Sequence, residues 1–263
     1  MADFQDLNFE VNNHIARITL NRPKSYNAFN NNLSFELIDA LKRCKKDNDI
    51  RVVVLTGAGE KAFSSGQDLK DRSDGIPKSL GESVEKRYNP MAKGILTMEK
   101  PVIASVNGVA AGAGAGLALA ADYVISAESA YFLFAFVNIG LVPDSGTSFT
   151  LPKLVGRRKA FELLTKGEKI PAQEALNLGM INEVVPADQL AEATQRVAEL
   201  YANKPPRSLA LIKRMLAREA DGFPLEKMLE MELYSQDTAG STKDYVEGVM
   251  AFIEKRKPQF TGE

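Results

Sequence analysis

Residues Pro101 to Gly146, PVIASVNGVAAGAGAGLALAADYVISAESAYFLFAFVNIGLVPDSG, decide how this chain folds. Pro101 to Val106 is a continuous apolar run rich in β-branched residues and predicts a buried strand, which Asn107-Gly108 breaks with a turn. Gly112, Gly114 and Gly116 then alternate with alanines ahead of Leu117 to Ala121. The chain therefore enters a helix through backbone that carries almost no side chain. Glycine and alanine let a ligand approach main-chain N–H groups, and a helix N-terminus offers unpaired donors with partial positive charge. Such a place suits an oxygen that gains negative charge, either a phosphate or a carbonyl becoming an enolate.

The same run has plainer readings. Small residues also let a helix pack closely on a sheet, and Gly/Ala alternation alone favours that role. Pro101 to Ala127 is long and mostly apolar, but Asn107 and the glycines interrupt it and Asp122 lies within it, which argues against a membrane span. A dinucleotide fingerprint needs G-x-G-x-x-G after a strand and an acidic residue about 20 positions on. Here the spacing is G-x-G-x-G, with no acidic residue at that distance.

Around this stretch lies a chain of 263 residues, 44% hydrophobic and 25% charged, enough for one large core and ordinary for a soluble protein. Thirty-three basic against 34 acidic residues leave a net charge of −1, which offers no global field for nucleic acid or an anionic membrane. Cys44 is the only cysteine, so no intrachain disulfide can form, and its apolar helical position suits a core thiol. Nothing in Met1 to Glu10 resembles a signal peptide, so a cytoplasmic location is expected. His14 is the only histidine and sits in the strand-like stretch Phe9 to Leu20, where a structural role is expected. A single histidine leaves Ser-His-Asp hydrolysis, Cys-His catalysis and most zinc sites without their ligands.

In chain order, Phe9 to Leu20 reads as one or two strands meeting near Asn12-Asn13. A helix from Asn31 places Leu33, Leu37, Leu41 and Cys44 near helical spacing, and Arg51 to Thr56 is a buried strand. That β-α-β order implies a parallel pair and an α/β core. Ala62 to Lys70 reads as a small-residue turn into a polar segment, Asp68 to Gly81, expected to be mobile. Glu82 to Glu99 reads as a helix, and Tyr123–Ser126 and Tyr131–Phe134 as short strands. Beyond Ser148 the chain reads as nearly all helical, with one strand-like interruption at Met180 to Val185. Pro171 opens a short helix that Gly179 closes. Further helices cover Gln189–Ala202, Pro206–Arg218, Leu225–Ala239 and Lys243–Arg256.

Several ordered motifs carry a family likeness: Asn21-Arg-Pro, Ala62-Phe-Ser-Ser-Gly-Gln-Asp-Leu, Tyr88-Asn-Pro, Asn107-Gly-Val-Ala-Ala-Gly-Ala-Gly-Ala, Gly140-Leu-Val-Pro-Asp-Ser-Gly and Lys255-Arg-Lys-Pro-Gln-Phe-Thr-Gly. On these the chain resembles the crotonase (enoyl-CoA hydratase/isomerase) superfamily over essentially its full length. Within that superfamily it looks like the ring-epoxide isomerases, which act on 1,2-epoxyphenylacetyl-CoA. The resemblance implies an α/β spiral of ββα units over residues 1–200 and a C-terminal helical region over 201–263 that serves trimerisation. It also implies an acyl-CoA thioester substrate and assembly as a homotrimer or a dimer of trimers. Coenzyme A would arrive as part of the substrate, with no metal and no tightly held cofactor.

By the same resemblance, the main-chain N–H groups of Gln67 and Ala113 hold the thioester oxygen. The two glutamates that hydratases use to move water's protons align with Gly116 and Phe136, neither of which can carry a proton. A carboxylate stands instead at Asp144, where the isomerases place theirs. One carboxylate can take a proton from one carbon and return it to another, which is what double-bond migration requires. Taken alone, Pro143-Asp144-Ser145-Gly146 before a helix reads as an N-cap. Helix proximity would lower the Asp144 pKa, while Phe134, Phe136 and Ile139 would raise it if they line the pocket. The nucleotide cradle implied by the family falls on Lys24, Ala28, Ser65, Asp68, Leu69 and Lys70, with Phe252 and Lys255 completing the adenine site, in some members from a neighbouring subunit. Solvated surface lysines are the simpler reading of Lys24 and Lys255. Tyr88 and Phe136 are expected in the acyl pocket. The chain therefore reads as an acyl-CoA isomerase working on an epoxidised aromatic acyl-CoA, on 3-enoyl-CoA double bonds, or on both. An enoyl-CoA hydratase and a non-catalytic acyl-CoA binding protein are the alternatives.

Overall fold

Parallel pairing of short buried strands organises the molecule. The computed structural model describes residues 4–70 and 79–263. The first hairpin joins β1 (Leu7–Asn12) to β2 (Ile15–Leu20), and α1 (Asn31–Lys46) crosses over to β3 (Val52–Gly57). β4 (Ala62–Ser64) follows, then α2 (Leu80–Ser83), a wide π-helical turn (Val84–Tyr88) and α3 (Asn89–Leu96) as one continuous rod. Next come β5 (Val102–Val106), β6 (Val109–Ala111), α4 (Ala113–Leu119), β7 (Tyr123–Ala127) and β8 (Tyr131–Leu133). The remainder comprises α5 (Thr147–Val155), α6 (Arg157–Lys166), β9 (Lys169–Pro171), α7 (Ala172–Asn177), β10 (Glu183–Val185) and the helices α8 (Leu190–Ala202), α9 (Pro206–Ala220), α10 (Leu225–Gly240) and α11 (Lys243–Glu254).

The strands form two sheets, ordered β1-β2-β3-β5-β7-β10 and β4-β6-β8-β9. From β3 to β8 the chain leaves one strand in the larger sheet and the next in the smaller, so each turn of the spiral adds a strand to both. All pairs are parallel except β1–β2 and β8–β9. Every residue of β5 and nearly every residue of β3 is buried. That is the pattern of parallel strands covered on both faces, and it explains their unbroken apolar sequence.

Local chemistry fixes the ends of the elements. Asn30 caps α1 by accepting the Leu33 N–H at 2.7 Å, while Arg43, Lys45 and Lys46 collect at its C-terminus. Cys44 is fully buried on the inner face of that helix, and burial pushes its thiol up to about 12, so it is core and not nucleophile. His14 stands in the turn between β1 and β2 and not within a strand. Its φ is +66°, and its Nδ1 lies 2.8 Å from the Asp49 carbonyl, a structural contact.

Other boundaries shift from the sequence reading for identifiable reasons. The helix expected over Glu82 to Glu99 spans Leu80 to Leu96 and widens over Val84–Tyr88. Pro90 has no N–H to continue the ladder, and the Asn89 N–H bonds back to the Val84 carbonyl. β4, β6 and β9 were not expected as strands. Each has three residues, too few to show a period, and pairing with a neighbour defines them. Pro171 ends β9 and also caps α7. Residues 71–78, the middle of the polar segment expected to be mobile, lie outside the described residues. Among those described, no helix is long and apolar enough to cross a membrane.

α8 covers β3, β5 and β7, with the Thr194 hydroxyl 2.8 Å from that of Ser105. α9 is tied to the body through Lys213, whose ammonium lies 2.5 Å from Asp122, and through Arg214 with Glu99. Beyond it, Leu225, Leu229 and Leu233 run along α10 at four-residue spacing and are all more than half exposed, as is Phe252 on α11 at 85%.

Candidate active site

Three backbone segments meet at the end of the smaller sheet. β4 leads into Gly66-Gln67, β6 leads into Gly112-Ala113, and the loop before α1 runs alongside. The Phe29 N–H donates to the Gly66 carbonyl at 2.7 Å, and the Asp68 N–H donates to the Phe29 carbonyl at 3.0 Å, so Phe29 brackets Gln67. Gly66 has φ +87°, and a Cβ there would stand 2.8 Å from the Ala111 carbonyl oxygen and 3.3 Å from the Ala113 nitrogen. Only glycine permits this approach, and it lays the Gln67 amide beside the first residue of α4. Neither the Gln67 nor the Ala113 N–H has a hydrogen-bond partner among the described residues. Gly112, with φ +51°, faces open space: a Cβ on it would meet nothing within 4 Å. The glycine/alanine run thus does two things. Gly114 packs α4 tightly on Ser64, and Gly112 keeps the backbone just ahead of the Ala113 amide free of any side chain.

Asp144 approaches from the turn before α5. Ser145 (φ +53°) and Gly146 (φ +77°) are both left-handed, a conformation a non-glycine residue adopts only at a cost, and the Thr147 N–H closes the turn on the Asp144 carbonyl at 2.9 Å. Gly146, not Asp144, is the N-cap of α5, and no side chain caps that helix. The carboxylate instead accepts the Ser145 hydroxyl at 2.8 Å. Burial holds the Asp144 pKa above the ordinary aspartate value, with the Ser145 hydrogen bond a smaller effect in the other direction. Phe134 and Phe136 are buried, whereas Ile139 is 56% exposed and does not enclose the site.

The space beside residue 116 has been filled. A Cβ on Gly116 would overlap the Thr147 hydroxyl oxygen and stand 3.0 Å from the Ser145 Cβ. Thr147 and Ser145 are both fully buried. A glutamate introduced by Gly116→Glu therefore has no room, and that variant is expected to lose thermal stability and to gain no hydration of a trans-2-enoyl-CoA. Brisk hydration by it would show that the site tolerates a second carboxylate.

Tyr88 closes the site from the helical side. It is 1% exposed, its ring meets that of Phe29 edge-on at 6.5 Å, and its hydroxyl has no partner among the described residues. Burial raises its pKa, and the nearby Asp144 and Asp68 carboxylates push in the same direction, so it stays a neutral hydroxyl.

The segments 24–28 and 65–70 lie against one another. The Ser65 N–H donates to the Tyr26 carbonyl at 3.0 Å, and Arg22 reaches both the Ala28 carbonyl at 2.6 Å and the Asp68 carboxylate at 2.9 Å. Asp68 is thus committed to Arg22 and to the Lys70 N–H, and contributes loop shape and not free charge. Lys24, Ser65, Leu69 and Lys70 are exposed around it. Arg22 was the residue missed by sequence reasoning, although it sits inside the quoted Asn21-Arg-Pro motif. Phe252 and Lys255 are not joined to these loops by any hydrogen bond or ion pair among the described residues. α11 is held by α10 and by the C-terminal residues, through Asp244 with Thr261 and Glu247 with Arg256.

Two sheets threaded by a ββα spiral, with unpartnered amides after β4 and at the β6–α4 junction among the described residues, define a crotonase-type fold. The chain belongs to the enoyl-CoA hydratase/isomerase family, whose profile matches residues 10–263. It is 44% identical over 256 residues to the 1,2-epoxyphenylacetyl-CoA isomerase of Escherichia coli K12, covering 96% of this chain and 97% of that one. Carnitinyl-CoA dehydratase of Citrobacter koseri is 36% identical, with 98% of this chain and 99% of the relative covered. The crystal structure of an enoyl-CoA hydratase from Bacillus anthracis superposes with a TM-score of 0.93 at 35% identity, covering 98% of this chain and 100% of that one. The family acts on CoA thioesters, and these relatives divide between isomerase, dehydratase and hydratase.

Proposed function

We propose that the chain is an acyl-CoA isomerase in which Asp144 carries one proton between two carbons of a thioester-stabilised enolate. The observation that supports this reading best is the filled space beside Gly116, where Thr147 and Ser145 occupy the room a catalytic glutamate would need. With Phe136 at the other hydratase position, neither place where a hydratase glutamate would stand carries a carboxylate, and Asp144 is left to move the proton. General acid or base groups of this kind contribute about 10² to 10⁴ each in rate, so hydration without either is slow.

In the reaction on a 3-enoyl-CoA, the Asp144 carboxylate takes the proton from C2. The electron pair left behind moves onto the thioester oxygen, where the Gln67 and Ala113 N–H groups stabilise it. The protonated Asp144 then returns the same proton to C4 as the double bond settles between C2 and C3, so no water is consumed. The same proton transfer on epoxidised aromatic acyl-CoA substrates is part of this reading, and the 44% identity to a 1,2-epoxyphenylacetyl-CoA isomerase supports it. Coenzyme A enters with the substrate over the Lys24–Ala28 and Ser65–Lys70 loops. The exposed apolar stripe on α10 and α11 supports assembly into trimers, which would bring a neighbour's Phe252 and Lys255 to the adenine end. Light scattering on the purified chain is expected to give three or six times its mass, and a monomer would remove that part of the reading.

The functional test is turnover of a cis-3-enoyl-CoA against hydration of a trans-2-enoyl-CoA by the wild-type chain. Isomerisation is expected to dominate. Hydration faster than isomerisation would overturn the assignment.

A further inference from the structure

Among the described residues, two buried side-chain oxygens have no hydrogen-bond partner, and one of them is the Tyr88 hydroxyl. A hydroxyl removed from water and given no acceptor is costly, and one kept in the fold calls for a reason. Its surroundings locate it. Phe29, against which the Tyr88 ring packs at 6.5 Å, is the residue whose backbone brackets Gln67. On the same helical face, Ala92 and Leu96 follow at positions i+4 and i+8, and both pack against Gly146, two residues after Asp144. Tyr88 therefore stands between the amide that would hold the thioester oxygen and the turn that presents the carboxylate.

We propose that the Tyr88 hydroxyl donates a hydrogen bond to an oxygen carried by the acyl group itself, beyond the thioester carbonyl. This selects oxygen-bearing acyl thioesters, of the epoxide or ether class, over plain hydrocarbon chains, and it rests on the acyl-CoA isomerase reading above. A hydrocarbon acyl group leaves the hydroxyl as it is in the free protein. An epoxide or ether oxygen supplies the acceptor it lacks, and a site with a buried donor discriminates against the analogue that cannot accept. Burial keeps the proton on Tyr88 against the opposing charge of Arg87, with Asp144 and Asp68 adding to the effect of burial, so at neutral pH it acts as a donor. The Arg87 guanidinium, bonded to Ser83 and Asn31, also packs on the ring, 5.3 Å from its centroid.

The test compares binding within two pairs of stable thioesters that differ in one oxygen: phenoxyacetyl-CoA with 3-phenylpropanoyl-CoA, and 2-hydroxyphenylacetyl-CoA with phenylacetyl-CoA. Calorimetric titration of the full chain is expected to favour the oxygen-bearing member of at least one pair by about tenfold, with Tyr88→Phe reducing that ratio to near one. Equal affinity within both pairs for wild type overturns the proposal, and so does a ratio that survives Tyr88→Phe. The thermal midpoint of Tyr88→Phe is expected to equal or exceed that of wild type, because the variant removes only an unpartnered oxygen. A clear drop would mean that the hydroxyl already has a partner in the free protein, which also overturns the proposal. Binding is read whether or not the thioester turns over, so a wild type that discriminates in binding but isomerises nothing would sink the Asp144 mechanism and leave the Tyr88 assignment standing.

Discussion

Asp144→Asn is expected to lower kcat for isomerisation of a cis-3-enoyl-CoA by about 10² to 10⁴ while the acyl-CoA still binds. Asparagine keeps the oxygen that accepts the Ser145 hydroxyl and the same volume, so the left-handed Ser145-Gly146 turn is preserved. Only the capacity to accept a proton is lost. The pH dependence follows with its sign fixed by burial. Asp144 works as its carboxylate and its pKa is raised, so kcat/KM falls on the acid side at a pH above the ordinary aspartate value of about 3.9. That acid limb is expected to vanish from whatever residual activity the asparagine variant retains. Full activity in the variant, or an acid limb that it shares with wild type, would remove Asp144 from the chemistry and return it to a structural part of the turn.

The second large effect is expected at a residue with no side chain. Substituting Gln67 or Ala113 leaves their N–H groups in place, so neither change tests the proposed oxyanion site. Gly66→Ala does, because the new Cβ would press on the Ala111 carbonyl oxygen at 2.8 Å and on the Ala113 nitrogen at 3.3 Å, in a backbone with φ +87°. The left-handed conformation alone costs about 1–2 kcal/mol for a residue with a Cβ. Relief comes by moving the segment that carries the Gln67 amide and the start of α4 apart. Losing one preorganised donor typically costs about 10² to 10³ in kcat. The expected outcome is a loss of that size together with a lower thermal midpoint. A fall in midpoint with kcat intact would show that the two amides tolerate displacement and that enolate stabilisation comes from elsewhere.

Much of the fold could be read along the chain because its signals are local. The β-branched runs at Val52–Gly57 and Val102–Val106, the helical spacing of Leu33, Leu37, Leu41 and Cys44, and the punctuation by Pro171 and Gly179 each lie within a few residues of the element they define. The strands that were missed, Ala62–Ser64, Val109–Ala111 and Lys169–Pro171, are those for which pairing across the sheet matters more than composition. Asp144 shows the boundary clearly. Its sequence context reads as a helix cap, and the structure moves the cap to Gly146, because Ser145 adopts a left-handed turn that no local propensity favours.

By itself, the sequence determined the chemical inventory: one histidine, one cysteine, no carboxylate at residues 116 and 136, one at 144, and a glycine-rich entry to a helix. The tertiary structure decided what that inventory can do together. It placed Gly66 against Ala111 and Ala113, packed Thr147 and Ser145 into the space beside Gly116, committed Asp68 to Arg22, and left the Tyr88 hydroxyl buried without a partner among the described residues. The physical reason is that periodicity and capping act over a turn or two of chain, whereas an oxyanion site, a filled cavity and a shifted pKa depend on contacts between segments that only the spiral of the two sheets brings side by side.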